Sequence, residues 1–325
     1  MTDDEGATTS SPGVQTLDRS AAGAAGRVSG GEERPRRSRT LRRGDFTPWV
    51  LILPAVLLIA AVTLLPMAQA IKLSVYETNF LETGDFVGLD HFRAYLQDPS
   101  GRHNIVVTLM FTFGSMALAM PLALAMAILL NKPLRGRTFF RTILILPWVI
   151  SQLLTSILWA LLYDPSIGPV GEILTWFAGA NFAALGSGGT ALPALIVASV
   201  WRSFPYGMIL LLAALQAVPR ELYDAAEVDG ASRWQGFRYV TFPAILPTFL
   251  IAMLILSVSY VNMVEIPLVL TGGGPAGATE VIGLRVYQEA FRLHNFGFAS
   301  AVSMLMFGVN IVICGIYIKT LRRSN

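Results

Sequence analysis

The chain has 325 residues, of which 54% are hydrophobic and only 14% are charged, and its mean hydropathy is +0.57. Soluble domains carry about 25% charged residues, so this composition excludes an ordinary soluble protein and predicts an integral membrane protein. The single cysteine, Cys314, excludes a disulfide framework and a Cys/His metal site. The net charge of +3 comes from basic residues clustered beside apolar runs, which does not indicate a nucleic-acid partner.

The first 45 residues are rich in Ser, Gly, Ala and Arg and almost lack large apolar side chains, so we expect a disordered basic tail. Within it, residues 34–43 read RPRRSRTLRR. Next to a membrane span, such a run is typical of a lipid-facing patch that sets topology, rather than of a nucleic-acid arm. The apolar run that follows is too long for a signal peptide. Residues 46–325 are expected to form one membrane domain.

Six apolar runs follow the tail, each long enough to cross about 30 Å of hydrocarbon as a helix. They cover residues 48–71, 105–130, 139–163, 191–217, 245–270 and 298–318. Several contain proline, which is tolerated where neighbouring helices satisfy the freed backbone groups. The sequence therefore predicts an all-α integral membrane protein with six transmembrane helices, and six spans place both termini on one side.

The distribution of basic residues predicts which side that is. The tail, residues 131–141, residues 218–243 and the C-terminal end together hold eighteen Lys and Arg, whereas the alternating segments hold five. Cytoplasmic segments carry the excess of positive charge. We expect both termini in the cytoplasm of a multi-pass protein of the cell (inner or plasma) membrane.

Two charged residues fall inside apolar runs. Arg202 and Glu265 each lie several residues from the outer end of their run. Charges at membrane depth are costly and usually face a cavity or a partner, although residues this close to a span end also reach the headgroups. The neighbouring candidates for a substrate site are Trp201, Tyr206, Tyr260 and Asn262. Aromatic faces with an amide and a carboxylate suit a neutral sugar, but aromatics near span ends also form interfacial belts.

The longest polar interruption of the second half, residues 219–247, predicts two short helices joined by a turn. Pro219 suits the first helical position, and Gly230 suits the left-handed residue that ends the helix. Ser232 and Gln235 have the spacing of a capping box that opens a second helix. A helix-turn-helix linker, including a DNA-binding one, has the same local pattern.

The same stretch carries a family resemblance. Asp224-Ala225-Ala226, three residues, Gly230, nine residues, Val240, one residue and then Phe242-Pro243 match without a gap the pattern E-A-A, three residues, G, nine residues, I, one residue, L-P. This resembles the EAA loop of permease subunits of binding-protein-dependent ABC importers. Three positions depart from the pattern, of which Asp224 keeps the charge but shortens the reach of any inherited salt bridge.

Two further segments are similar to loops of sugar-importer permeases: FVGLDHFRAYLQDP at residues 86–99, and LTGGGPAGATEVI at residues 270–282. The resemblance thus covers about residues 48–320. It implies a type I importer permease of the carbohydrate-uptake (maltose) type, with Asp224, Ala225, Ala226, Gly230 and Pro243 in the ATPase-coupling loop. It also implies a second permease subunit, two ATP-binding subunits that carry ATP and Mg²⁺, and an extracytoplasmic solute-binding protein.

The sequence contains few candidates for catalytic, cofactor-binding or metal-binding residues. No G-x-x-x-x-G-K-S/T occurs, so we expect no bound cofactor and no ATP hydrolysis by this chain. The histidines His91, His103 and His294 are scattered, and no spacing indicates a metal site or a catalytic triad. A secondary transporter or channel is the competing class, but it predicts several intramembrane carboxylates or a pore filter. A third alternative, an intramembrane enzyme, is not favoured because the predicted spans contain no paired catalytic groups.

Overall fold

The computed structural model describes residues 47–80, 82–133, 135–179 and 183–324. The predicted disordered tail, residues 1–45, lies outside the described residues. The chain divides into two units after Ala55, so the first unit is described only at residues 47–55. The second unit, residues 56–325, holds both candidate sites described below.

The fold is mainly helical, as predicted. The helices are α1 (Thr47–Leu73), α2 (Asp90–Gln97), α3 (Pro99–Asn131), α4 (Arg137–Val149), α5 (Gln152–Tyr163), α6 (Pro169–Ala178), α7 (Gly188–Ala217), α8 (Arg220–Val228), α9 (Arg233–Gly236), α10 (Phe242–Val261), α11 (Glu265–Leu270), α12 (Ile282–Phe291) and α13 (Phe296–Ser324). A π-helical turn, Phe237–Thr241, joins α9 to α10 without a break.

Five of these helices are long and apolar enough to cross a membrane, within the described part of the chain. A sixth crossing exists if α4 and α5 count as one span, but the two are bent by 100° at a short break. The expectation of one continuous helix over 139–163 is therefore wrong. Ser151 explains the break, because it leaves helical geometry and caps α5 by accepting a hydrogen bond from the Leu154 N–H (3.3 Å).

The fifth predicted span is also interrupted. The helix α10 ends at Val261, and α11 restarts at Glu265 after an unwound stretch. The expected continuous run over 245–270 is thus two helices. Breaks of this kind at membrane depth require that protein or a water-filled cavity, rather than lipid, surrounds the freed backbone groups.

The core lies where α7 packs against α3 and α10. Small side chains let these helices approach closely, and Ala123 and Ala198 are fully buried. At Gly207 an added Cβ would lie 3.2 Å from the Cβ of Ala123 and 3.6 Å from Leu256 Cδ1. By contrast, the side chains of α1 from Val56 to Ile71 are almost all exposed, as expected for a helix that faces lipid or another subunit.

The segments between the long helices are more structured than the sequence suggested. Strands β1 (Tyr76–Asn79) and β2 (Glu82–Phe86) form an antiparallel hairpin, a small departure from the all-α prediction. The hairpin is tied to the start of α13, since the Gly297 N–H donates to Thr78 Oγ1 at 2.7 Å. The Gly-rich segment between Asp164 and Thr190, before the apolar part of α7, contains the helix α6.

Candidate functional site

The first candidate site is the hairpin of α8 and α9, and its turn has the predicted geometry. Gly230 has a φ of +75°, the left-handed conformation expected of the residue that ends α8. The Ala231 N–H donates to the Ala226 carbonyl (2.9 Å), and the Gly230 N–H donates to the Glu227 carbonyl (3.0 Å). These two bonds form a Schellman motif, which satisfies carbonyls at the end of α8. The helix starts at Arg220, one residue later than predicted, with Pro219 as its N-cap.

The second half of the hairpin also follows the sequence signals. Ser232 and Gln235 form the predicted capping box, with the Ser232 N–H donating to Gln235 Oε1 at 2.7 Å. The chain then continues through the π-helical turn into α10, where Pro243 occupies the first helical turn. A rigid helical connection therefore runs from the hairpin into the core of the bundle.

The outer surface of this hairpin is open to a partner. No residue of α8 is buried, and Val228 is 88% exposed. Asp224 and Ala225 are exposed, Ala226 is half-buried, and Asp224 forms no ion pair with another described residue. On the inner side, Thr241 Oγ1 donates to the Tyr223 hydroxyl at 3.2 Å, which ties α8 to the π-helical turn. This contact links α8 to the π-helical turn, which continues into α10.

The second candidate site is a cavity of about 380 Å³ that lies at both helix breaks, and we call it the polar cavity. Its walls come from the α4–α5 break, from α7 and from the α10–α11 break. Its polar lining residues are Gln152, Arg202, Ser203, Ser259, Asn262 and Glu265. Two aromatic residues, Trp148 and Tyr206, complete the wall with their ring centroids 5.6 Å apart.

The polar cavity brings opposite charges together without pairing them. Arg202 and Glu265 both line it, but they form no ion pair within 4.0 Å. Arg202 Nε is buried and has no hydrogen-bond partner among the described residues. Hydrogen-bond donors, hydrogen-bond acceptors and aromatic faces therefore surround the unpaired Arg202 and Glu265. A cavity of this kind suits a neutral solute that carries many hydroxyl groups.

Four of the six predicted substrate residues line this cavity: Arg202, Tyr206, Asn262 and Glu265. Trp201 instead packs edge-on against Trp159, with ring centroids 5.9 Å apart, outside the polar cavity. Tyr260 is fully buried in the core, where its hydroxyl is hydrogen-bonded to Ser203.

The amide of Asn262 already has partners. Its Nδ2 donates to Asn310 Oδ1 on α13, and Asn310 Nδ2 donates back to Asn262 Oδ1, both at 3.2 Å. A second Nδ2 contact goes to the Val258 carbonyl at 2.7 Å. Asn262 therefore stabilises the α10–α13 contact, and Glu265 is left as the freer acceptor of the two.

Sequence reasoning missed Trp148, Gln152 and Ser259 as lining residues. Gln152 is the first residue of α5, directly after the bend. The signal was present, since a polar Ser151-Gln152 pair interrupts an apolar run four residues after Pro147. Ser259 lies three positions before Asn262 on α10, so helical periodicity places both on one face.

A separate charged cluster lies on α12, outside the spans. Arg285 Nη2 is 2.8 Å from Glu289 Oε1 and its Nη1 is 3.7 Å from Glu280 Oε1. Burial raises the pKa of Glu289 above its ordinary value, with Arg285 acting in the opposite direction and Glu280 and Asp98 adding to the rise. The cluster holds α12 to the loop before it and does not reach the polar cavity.

Comparisons with known proteins agree on one family. The model of the binding-protein-dependent transport system inner membrane component matches residues 119–321. The trehalose/maltose transport system permease protein MalF of Thermococcus litoralis is 32% identical over 272 residues, which is 83% of this chain and 92% of the relative. The sn-glycerol-3-phosphate transport system permease protein UgpA of Brucella abortus is 32% identical over 268 residues, covering 82% and 91%. In structure, the chain is similar to one chain of a bacterial alginate ABC transporter solved in complex with an alginate pentasaccharide-bound periplasmic protein, with a TM-score of 0.75, 24% identity and coverage of 86% and 95%.

Proposed function

Because the chain belongs to the family of binding-protein-dependent transport system inner membrane components, it is a permease subunit of an ATP-driven ABC importer, and we propose that its solute is a sugar or a related small carbohydrate. The relatives named for trehalose/maltose and for sn-glycerol-3-phosphate transport support a polyhydroxylated solute. The observation that carries the proposal is the polar cavity, where aromatic rings and unpaired polar groups meet at two helix breaks. Pyranose rings stack on aromatic faces, while carboxylates and amides bond their hydroxyls.

Energy for transport comes from partner subunits in this proposal. The sequence has no phosphate-cradling G-x-x-x-x-G-K-S/T motif, so ATP and Mg²⁺ belong to two ATP-binding subunits. The segment Asp224-Ala225-Ala226 of α8, in which Asp224 and Ala225 are exposed, docks into a groove of one of them. The Tyr223–Thr241 contact and the continuous helix through Pro243 then transmit its movement to α10. A second permease subunit completes the membrane pathway, and an extracytoplasmic solute-binding protein delivers the sugar.

The orientation follows from charge. Eighteen of the Lys and Arg residues lie in the tail, in the two polar segments at 131–141 and 218–243, and at the C-terminal end, against five in the alternating segments. This asymmetry supports a cytoplasmic location of both termini and of the hairpin of α8 and α9. With this orientation the polar cavity lies toward the outer end of α10 and near the middle of α7, and a solute released outside would reach it through the outer half of the bundle.

The test is uptake of a panel of radiolabelled sugars by a strain that lacks its own copy of this chain. Glu265→Ala and Gln152→Ala should reduce uptake of the transported sugar while the assembled complex still purifies. A hydrogen bond to a charged group contributes about 1.5–3 kcal/mol, so the Glu265 variant should bind about 10- to 150-fold more weakly. Glu82→Ala removes an exposed carboxylate from β2, away from the polar cavity, and serves as the matched control. Equal uptake by all three variants would remove the polar cavity from the transport pathway.

A further inference from the structure

A second cavity, distinct from the polar cavity, lies beside the coupling hairpin and is lined by three arginines. It has a volume of about 520 Å³ and is formed by the end of α3, the start of α4, the end of α7 and the start of α8. Its polar lining residues are Asn131, Arg137, Arg141, Gln216, Arg220 and Tyr223. We call it the arginine cavity.

Two of the arginines converge on one neutral side chain. Arg137 and Arg141 lie four residues apart on α4, so they share one helix face. With the Gln216 amide turned so that its oxygen faces them, both guanidinium groups donate to that oxygen, Arg141 Nη2 at 2.6 Å. One carboxamide oxygen accepts both hydrogen bonds but neutralises neither positive charge.

Among the described residues, no carboxylate neutralises the arginines of the arginine cavity. No Asp or Glu lines the arginine cavity, and Arg137, Arg141 and Arg220 form no ion pair with any described carboxylate. The Nε atoms of Arg137 and Arg141 are buried and have no hydrogen-bond partner there. Half-buried guanidinium groups with free donors require an anion, because burying an unpaired charge is costly.

The position of the cavity indicates which anion. It lies where α3, α4 and α7 begin or end, and the ends of membrane-spanning helices are expected at the level of the lipid headgroups. Directly beside it, Phe139, Phe140 and Ile143 of α4 are 65%, 49% and 49% exposed, which offers an apolar surface to acyl chains. The planar guanidinium fork matches phosphate oxygens bidentately, and basic pockets between spans on the cytoplasmic side bind anionic headgroups.

We propose that the arginine cavity binds the phosphate of an anionic phospholipid such as phosphatidylglycerol, and that this headgroup links α4 to α8. Arg220 is the first residue of α8, and Tyr223 connects the same cavity to the π-helical turn through Thr241. A bound headgroup therefore fixes the start of the helix that we propose as the docking element. The lipid site itself rests only on the geometry of the cavity, whereas its effect on coupling rests on the proposed function.

The test is native mass spectrometry of the purified, assembled transporter with added phosphatidylglycerol or phosphatidylcholine. The wild-type complex should retain phosphatidylglycerol at this site and not phosphatidylcholine. The double variant Arg137→Gln/Arg141→Gln should lose one bound phosphatidylglycerol per copy of this chain. Arg135→Gln removes a neighbouring exposed arginine that does not line the cavity, and it should retain the lipid. Arg220→Gln tests the same site from α8, in case the double variant does not assemble.

Three results would overturn the proposal. The first is equal retention of phosphatidylglycerol by the wild type, the double variant and Arg220→Gln. The second is loss of an ATP-binding subunit, with the lipid count unchanged, because a partner carboxylate would then be the counter-ion. The third is displacement of the lipid by excess inorganic phosphate, which would assign the site to a free anion. None of these readouts depends on the transported solute, so a failure here is distinct from a failure of the sugar assignment.

Discussion

Replacing Gly230 tests the coupling hairpin most directly, because the structure isolates a single energetic cause. At φ +75° a residue with a Cβ is strained by about 1–2 kcal/mol, and a β-branched residue by more. No atom lies within 4 Å of a Cβ added at Gly230, so steric contact adds nothing to that cost. Relief of the strain breaks the two Schellman hydrogen bonds and changes how α8 ends. Gly230→Ala should therefore lower the equilibrium constant for forming the native hairpin by about 5- to 30-fold, and Gly230→Val should lower it further.

The same hairpin offers a matched control. Gly236 also has no atom within 4 Å of an added Cβ, but its φ is −58°, which is ordinary helical backbone. Gly236→Ala should be neutral or slightly stabilising, since alanine favours the helix. Gly230→Asn should retain most function because asparagine tolerates the left-handed region.

Two measurements report the outcome: co-purification of the ATP-binding subunits with each variant, and ATP-driven uptake by the reconstituted complex. The expected order of activity is wild type, Gly230→Asn, Gly230→Ala and then Gly230→Val, with Gly236→Ala at the wild-type level. If Gly230→Val assembled fully and transported as well as Gly236→Ala, the hairpin would not be the coupling element.

Three further predictions concern charge. Asp224→Glu should be tolerated, whereas Asp224→Lys should weaken binding of the ATP-binding subunit at least about tenfold, measured by co-purification, because it reverses the charge at an exposed position of the docking helix. In a Cys314→Ser background, Ser187→Cys should react with an impermeant maleimide on whole cells and Ser232→Cys should not; the opposite pattern would reverse the orientation. Burial raises the pKa of Glu289, so the folded protein favours the neutral form of this carboxyl group. The stability that protonated Glu289 contributes is therefore lost as the pH rises through its folded-state pKa and is regained as the pH falls. Glu289→Gln should flatten the dependence of the melting temperature on pH between neutral and mildly acidic conditions, and an unchanged slope would contradict this.

Local structure in the hairpin could be predicted from the sequence because its causes are local. A left-handed Gly230, the Ser232–Gln235 capping box and a short α8 all depend on residues within a few positions of one another. Composition likewise determined the membrane class, since apolar runs of about 20 residues bury their own backbone hydrogen bonds as helices. The family resemblance likewise depended on local spacing, that of the residues from Asp224 to Pro243.

Which side chains meet in the polar cavity was decided by tertiary structure. Successive residues of an α-helix point about 100° apart, so Trp201 faces away from the side that Arg202 and Tyr206 share. Tyr260 precedes Asn262 by two positions and for the same reason is buried in the core. The sequence prediction grouped residues that are close in sequence, and it therefore included Trp201 and Tyr260, which the helical geometry turns away from the polar cavity.

The positions of the two helix breaks could likewise not be predicted from the apolar runs. Each of the runs 139–163 and 245–270 is apolar enough overall to be interpreted as one span, despite the polar Ser151-Gln152 pair in the first, yet the backbone bends by 100° after Val149 and unwinds after Val261. A break is stable only where packed neighbours or a cavity satisfy the freed backbone groups, and those neighbours come from distant parts of the chain. Because α5 and α7 meet α11 only in the folded bundle, the sequence alone determined the spans and the hairpin, and the packing determined where the cavity between them opens.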